Sequence, residues 1–353
     1  MENTSKKIAK VQTTSHALII ASILVVILYL GRSLIIPLIF GIILWLLMRK
    51  VRSLFYMIGL SDKWFPKWLK TLLSSAILFS TVWGIGLIFE RNIQELIRYS
   101  DAYGRNLTRI LQDFDSFSSY KVEDLVKSFN SNDLINTYMT SVITSLQAII
   151  SNVIIVLIYM LFIIMEESSF KFKIRALFPD RAAYDERLLV IRRIEKAITN
   201  YLGIKSLIAL ISSTIAYSIF TLAGLNAPFF WALLVFMFSF IPFFGVLISS
   251  FLPAIFAIVQ FAGYSESLII LFSVGSIQFL AGNIIEPKIM GNTMNVSPLV
   301  VILALGFWGF IWGLPGMFLS VPITVIMVIV FSKFKSTRGI AIILSERGEI
   351  EHE

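Results

Sequence analysis

The chain contains no cysteine and only two histidines, His16 and His352. Without cysteine it can form no disulfide, no thiolate metal site and no cysteine nucleophile, and the redox compartment stays undetermined. Two histidines at opposite ends of a chain do not form a metal-ligand cluster. The sequence therefore predicts neither a metal site nor a cofactor.

Motifs of enzymes and of ATP-driven motors are also missing from the sequence. There is no Gly-x-x-x-x-Gly-Lys-Ser/Thr loop to hold nucleotide phosphates. There is no Gly-x-Ser-x-Gly nucleophile elbow and no His-Glu-x-x-His zinc helix. We therefore predict that the chain is not an enzyme and does not itself hydrolyse ATP.

Charged residues are scarce, at 15% of the chain, whereas 57% of the residues are hydrophobic. A mean hydropathy of +0.83 means that one soluble core cannot hide this much apolar surface. The sequence predicts a multi-pass protein of the lipid bilayer. The net charge of +8 comes from 30 Lys and Arg against 22 Asp and Glu, which the basic bias of cytoplasmic loops explains without a nucleic-acid partner.

Apolar segments of helical length predict an all-α integral membrane fold with about eight transmembrane elements, two of them broken. The first two segments are separated only by Gly31-Arg32, which favours a helical hairpin. A cleaved signal peptide is the alternative, although no small-x-small cleavage pattern follows. The unbroken spans are Ala17 to Leu30, Ser33 to Met48, Trp68 to Phe89, Val142 to Met165, Gly203 to Leu222 and Leu268 to Ala281.

These spans divide the chain into six parts. They are a tail (1–16), three spans with a basic connector (17–89), a polar insert (90–140), a fourth span with a charged loop from Glu166 to Asn200 (141–202), a transport region (203–331) and a second tail (332–353). Basic residues of short loops are retained in the cytoplasm. Both termini are therefore predicted to be cytoplasmic, with the insert outside.

The insert has apolar residues at helical spacing, among them Tyr103, Leu107 and Ile110. This spacing predicts amphipathic helices that extend the third and fourth spans. They would pack together or meet a neighbouring protomer in a homo-oligomer. A solvated helical loop is the open alternative.

Two apolar runs are interrupted by proline and glycine: Phe229 to Ala262 by Pro242 and Gly245, and Leu299 to Phe331 by Gly313, Pro315 and Gly316. Each run would be about 50 Å long as one helix, too long for one crossing and too short for two. Such paired breaks indicate the substrate site of a secondary transporter, although a simple proline kink is the alternative. Loop charge favours two inverted hairpins over two parallel crossings.

Polar residues are concentrated at the end of the last unbroken span. We predict that Gln278 and Asn283 contact a small polar solute with the two breaks, and that Glu286 carries a coupling ion or pairs with Lys288. The alternative is that Glu286 and Lys288 lie at the membrane interface. Glycines 306, 309, 313 and 316 share one helix face, which serves either static packing or sliding.

Four sequence elements resemble the autoinducer-2 exporter (AI-2E, PerM-like) family of transporters. They are Phe240-Ile-Pro-Phe-Phe-Gly245, Glu286-Pro-Lys-Ile-Met-Gly291, Ser297-Pro-Leu-Val-Val301 and Gly313-Leu-Pro-Gly-Met-Phe-Leu-Ser-Val-Pro322. The layout of paired N-terminal spans, insert and long C-terminal region is similar over nearly the whole chain.

The resemblance implies transport across a bacterial inner membrane without ATP hydrolysis, by movement of one part of the protein against another. It implies autoinducer-2 as a candidate solute, with a proton or sodium as candidate coupling ion. A sodium or lithium/proton antiporter is an alternative from the same resemblance. A non-transporting scaffold that binds partners through the insert is a third hypothesis.

Overall fold

The computed structural model describes residues 15–16, 19–57, 65–117, 131–178, 180–290 and 295–348, and within these ranges it describes the side chains of all residues except 111–151 and 171. Helices make up most of this part of the chain. Seven of the described helices are long and apolar enough to cross a membrane, so the predicted all-α membrane fold is confirmed. The helices are α1 (Ile19–Leu30), α2 (Arg32–Met57), α3 (Lys67–Arg98), α4 (Ser100–Phe117), α5 (Ser131–Leu177), α6 (Arg181–Leu222), α7 (Pro228–Phe238), α8 (Phe244–Phe261), α9 (Ser265–Leu280), α10 (Glu286–Met290), α11 (Pro298–Trp312), α12 (Leu314–Ser332) and α13 (Arg338–Leu344).

The first two apolar runs form one bent helical path, and the predicted hairpin is wrong. The Gly31 N–H donates to the Ile27 carbonyl at 2.8 Å, and the Ile35 N–H donates to the Gly31 carbonyl at 2.9 Å. Helical bonds thus continue on both sides of the one residue between α1 and α2. A reversal between antiparallel helices needs a loop of two to five residues. The orientation of both termini stays a prediction, because residues 1–14 and 349–353 lie outside the described ranges.

The predicted charged loop from Glu166 to Asn200 is also wrong, because α5 and α6 fill most of it. Glu, Lys, Arg and Ala are good helix formers, and charges outside the hydrocarbon do not end a helix. A carboxylate oxygen of Asp180 accepts from the Ala183 N–H at 3.2 Å and caps the start of α6. Both helices therefore extend well beyond the bilayer.

Ion pairs hold the basic connector and the α5–α6 junction at one end of the molecule, here called the basic end. Arg52 Nη2 lies 2.7 Å from Glu167 Oε1, and Arg49 lies 2.6 Å from Glu195. Arg52 Nη1 also donates to the Thr71 hydroxyl at the start of α3. The ends of α2 and α5 and the starts of α3 and α6 therefore lie together, as the shared basic bias of these segments predicts.

The insert helix α4 docks at the opposite end, here called the insert end. The Asn226 side-chain amide donates to the Tyr103 hydroxyl at 2.8 Å, and that of Asn106 donates to the Gln260 carbonyl at 2.8 Å. Burial raises the pKa of Tyr103 to about 12, so the phenol stays neutral at physiological pH. Arg105 and Arg109 are exposed on the other face, which confirms the amphipathic helix expected around Tyr103.

The first broken run is a hairpin of α7 and α8, with its tip at residues 239–243. A Cβ added to Gly245 would overlap the Phe238 carbonyl oxygen, seven residues earlier. Residues seven apart in a straight helix are about 10 Å apart along the axis, so the chain has turned back. Asn226, before α7, and Gln260, near the end of α8, are hydrogen-bonded to each other at 2.8 Å. Both legs therefore start at the insert end.

The second broken run is a hairpin of α11 and α12 with its tip at Gly313, whose φ is +66°. A Cβ on Gly316 would overlap the Trp308 carbonyl oxygen, and one on Gly309 would meet the Met317 side chain. Gly313 thus supplies the backbone conformation of the reversal, and Gly309 and Gly316 let the two legs approach. Static packing inside the hairpin is the use that the structure gives these glycines.

The second hairpin enters from the basic end, so the two hairpins are inverted. The Arg187 guanidinium near the start of α6 lies 5.7 Å from the centre of the Phe334 ring, just after α12. The Ser297 N–H before α11 donates to the Leu344 carbonyl of α13 at 3.0 Å. The inverted arrangement that loop charge favours is therefore the one found.

Aromatic rings join the two hairpins in the core. Phe240 in the first tip stacks on Phe318 of α12 with ring centres 4.5 Å apart, and Phe318 also meets Phe40 of α2 at 5.5 Å. The Trp312 indole N–H donates to the Leu28 carbonyl at 3.0 Å. These contacts hold both hairpins against neighbouring helices, while the turn residues Phe243 and Gly313 are themselves exposed.

The outer surface of α3 has few contacts within the chain. Only 6% of its most apolar window is buried, and aromatic residues such as Trp68 and Trp83 are exposed. This surface suits contact with lipid or with a neighbouring protomer. The homo-oligomer stays a prediction.

Replacing Gly316 with Ala is expected to open the second hairpin, because the added Cβ meets the backbone of Trp308. We expect the free energy of unfolding to fall by about 1–3 kcal/mol, as for other overpacked sites. Thermal unfolding of detergent-solubilised protein measures the change. The control is Gly306→Ala in α11, where an added Cβ meets nothing within 4 Å. Equal midpoints for the two variants would contradict the packing role of Gly316.

Candidate functional site

A cavity of about 480 Å³ lies beneath the tip of the first hairpin. Six parts of the fold form its wall: the middle of α6, the tip residues 239–243, the start of α8, the stretch from Gln278 to Met290, the start of α11 and Val321 of α12. Most of the wall is apolar, with a few polar side chains in one region. Solute sites in proteins commonly combine an apolar wall with a small number of placed polar groups.

An ion pair between α6 and α10 is the most polar part of the wall. Lys205 Nζ donates to both carboxylate oxygens of Glu286, at 2.7 Å and 2.5 Å. The side chains are 8% and 19% exposed. An ammonium and a carboxylate this far from water require each other, because an unpaired buried charge costs several kcal/mol. The pair therefore links two elements that face each other across the cavity.

The Gln278 side chain connects α9 to both legs of the first hairpin. Its amide nitrogen donates to the Ser249 hydroxyl at 2.9 Å and to the Ser239 hydroxyl at 3.1 Å. The residue is only 4% exposed. Buried amides are retained where their hydrogen bonds are satisfied. Gln278 therefore fixes the tip of the hairpin relative to α9.

The tip itself has an uncommon backbone. Phe243 has φ 61° and ψ −53°, a conformation that bulky residues rarely adopt. The Phe244 N–H donates to the Pro242 carbonyl at 2.6 Å, which closes a tight turn around Phe243. The Phe243 side chain is 54% exposed at the cavity wall. The tip thus brings backbone close to the cavity, where Pro242 contributes no N–H donor.

A π-turn at Ala281–Ile285 lies between Gln278 and Glu286. In a regular α-helix, residues eight apart point about 80° away from each other. A π-turn takes up one extra residue, so the two side chains behave as if seven apart and differ by only about 20°. The π-turn therefore lets Gln278 and Glu286 face the same cavity.

The predicted site residues fall into two groups. Pro242, Gln278, Asn283 and Glu286 line the cavity, and Gly245 closes the hairpin next to it. The second break, Gly313, Pro315 and Gly316, is not among the described lining residues, and contacts the first hairpin through Phe318 instead. Asn283 lines the wall, and its amide donates to the Phe279 carbonyl of its own helix at 3.1 Å.

The expected pairing of Glu286 with Lys288 is wrong, since Lys205 is the partner. Residues two apart on a helix point in different directions, and Lys288 is exposed. The sequence does contain a signal for Lys205, because this lysine lies inside an apolar span and ionisable residues in such spans are candidates for function. Ser239 and Tyr201 also line the cavity, but isolated hydroxyls in apolar helices carry no comparable signal.

Comparison with known proteins gives one family match. The model of the family described as AI-2E family transporter matches residues 18–336. The chain is 32% identical over 210 residues to AI-2 transport protein TqsA of Escherichia coli (strain K12), an alignment that covers 60% of each protein. The chain thus matches less than two thirds of the length of that relative.

Two further relatives align over a larger share of the chain, and their names describe them as candidate transport proteins. The one from Haemophilus influenzae is 29% identical over 291 residues, covering 80% of this chain and 82% of that protein. The one from Borreliella burgdorferi is 28% identical over 256 residues, covering 72% and 70%. Neither name specifies a solute.

Removing one charge of the ion pair is expected to destabilise the protein more than removing both. Lys205→Met leaves the Glu286 carboxylate without its ammonium, and we expect a loss of about 3 kcal/mol in the free energy of unfolding. The double variant Lys205→Met with Glu286→Gln is expected to recover most of this loss, as measured by thermal unfolding in detergent. Lys288→Met is the matched control with no expected change. If the losses in unfolding free energy of Lys205→Met and Glu286→Gln simply add up in the double variant, the two residues do not interact.

Proposed function

Because the chain belongs to the AI-2E transporter family, we propose that it carries a small polar solute across the membrane through the cavity beneath the first hairpin tip. The observation that carries the proposal is the cavity itself, in which a broken membrane segment, the Gln278 amide and the Lys205–Glu286 pair meet. Irregular backbone and ionisable groups at membrane depth are features of transport sites.

The direction of opening supports alternating access as the mechanism. The cavity extends from the first tip to Val296 and Pro298, next to the legs of the second hairpin at the basic end. On the insert side, the apolar cluster around Trp231, Val235 and Val274 fills the space above the tip. Opening the opposite side requires the first hairpin to move relative to α9 and α12. The contacts that change are those of the first hairpin with Gln278 of α9 and with Phe318 of α12.

Autoinducer-2 is the first candidate solute, because TqsA is named as an AI-2 transport protein and the aligned region is similar. A hydroxylated solute suits a wall where Gln278, Ser239 and Asn283 offer hydrogen-bonding groups. The antiporter and scaffold hypotheses have less support, since the relatives are named for transport and no named relative is specific for sodium or lithium.

Loss of the Gln278 amide is expected to abolish export. In cells that lack the protein, autoinducer-2 is expected to accumulate inside, and restoring the wild-type chain should reverse this accumulation. Gln278→Leu should fail to reverse it, with export at least tenfold slower, because the tip loses its polar link to α9. Intracellular and external autoinducer-2 are measured in parallel. Gln94→Leu, the same change at an exposed position on α3, should restore export fully. Normal export by Gln278→Leu would place the solute path elsewhere.

Glu286 is expected to couple transport to a proton gradient. In vesicles with an imposed gradient, solute accumulation by wild-type protein should exceed accumulation without one. Glu286→Gln should remove this difference, because the amide cannot exchange a proton, while Lys288→Gln should retain it. Unchanged coupling in Glu286→Gln would remove this residue from the coupling step.

A further inference from the structure

The two partners of the cavity ion pair differ in how firmly the fold holds them. Lys205 lies in the middle of the 42-residue helix α6, which packs against α7, α9 and α12. Glu286 begins the five-residue helix α10, directly after the π-turn. The lysine therefore lies in the middle of a long packed helix, whereas the carboxylate lies near the end of the helical path Ser265–Met290, beyond its π-turn.

The exposures of the two side chains give the same asymmetry. Lys205 is 8% exposed and Glu286 is 19% exposed. A cation that bound Glu286 in place of Lys205 would leave the more buried ammonium without a counter-ion, which is costly. An anion that bound Lys205 in place of Glu286 would release the more exposed carboxylate, which already lies nearer to water. The exchange with an anion is therefore the less costly of the two.

The charges of the wall favour an anionic ligand. Of the described lining residues, Lys205 is the cation, Glu286 the acid, and Tyr201 the remaining titratable group. The Gln278 amide already donates to the Ser239 and Ser249 hydroxyls, and the Ser239 hydroxyl donates to the Val235 carbonyl. The Lys205 ammonium is therefore the donor that a carboxylate or a similar small anion would engage.

We propose that the solute is a small organic anion whose acidic oxygens replace Glu286 as the counter-ion of Lys205. This inference rests on the proposed function, since it names the chemical class of the solute in the same cavity, and it ranks an acidic solute above a neutral hydroxylated one. Binding of the solute and separation of the ion pair are then one step, because the solute reaches Lys205 only when Glu286 leaves it. A neutral solute of the same shape lacks the charge that makes this exchange favourable.

Truncation of the glutamate tests whether Lys205 accepts an external carboxylate. Acetate is expected to raise the unfolding temperature of Glu286→Ala in detergent, with an apparent affinity at least tenfold higher than for wild type, because no side chain competes. Acetamide, the neutral probe of equal size, should have no effect. The double variant Lys205→Met with Glu286→Ala should not respond to acetate. Where Glu286→Ala does not fold, Glu286→Gln replaces it. An equal response to acetate and acetamide, or an acetate response that survives loss of Lys205, overturns the proposal.

Exchanging the two charges separates solute binding from a purely structural pair. The double variant Lys205→Glu with Glu286→Lys keeps an ion pair but moves the ammonium from α6 to position 286 in α10. We expect wild type to bind acetate at least tenfold more tightly than this variant. Equal affinities in the two proteins, or no binding to either, would overturn the proposal. These binding measurements need no gradient, so they are independent of the transport assays. Normal transport without acetate binding rejects the anionic solute alone. Acetate binding together with normal export by Gln278→Leu rejects the proposed transport path alone.

Discussion

Reversal of the chain within a membrane is the constraint on which the rest of this fold depends. Hydrocarbon offers no partner for backbone groups, so a turn at that depth must be covered by protein or face water. Packing meets part of this condition: Phe240 of the first tip stacks on Phe318, and the Trp312 indole beside the second tip donates to the Leu28 carbonyl. The turn residues Phe243 and Gly313 are themselves exposed, and the first tip borders the cavity. The neighbouring helices therefore hold the two hairpins in place, while the turns stay open.

Charged side chains at two places in the fold are likewise held by partners. At the basic end, Arg52, Glu167 and Thr71 connect α2, α5 and α3. In the cavity, Lys205 and Glu286 connect α6 to the short helix beyond the π-turn. The first arrangement anchors helices that extend beyond the bilayer. The second lies where a broken hairpin and a polar amide meet, in the cavity proposed as the solute path.

Patterns with a local physical cause were readable from the sequence, whereas relations across the fold were not. Hydropathy predicts the spans, and paired breaks with loop charge predict inverted hairpins, as found. The hairpin expected around Gly31 is wrong because a glycine permits a reversal without requiring one. The Glu286 partner was missed because Lys205 lies 81 residues away, and local spacing favoured Lys288. The π-turn, which aligns Gln278 with Glu286, depends on packing rather than on local propensity.

The lengths of the two legs of the first hairpin place its tip inside the membrane. The first leg, α7, has 11 residues and rises about 16 Å, and the second leg, α8, has 18 residues and rises about 27 Å. Neither leg is as long as the roughly 30 Å of hydrocarbon. In the proposed transport, an ion bound beneath the tip would therefore experience part of the voltage, which is about 2.3 kcal/mol per elementary charge for a full crossing at 100 mV. Its binding would then depend on voltage, and an energised cell and a depolarised one would load the same protein differently.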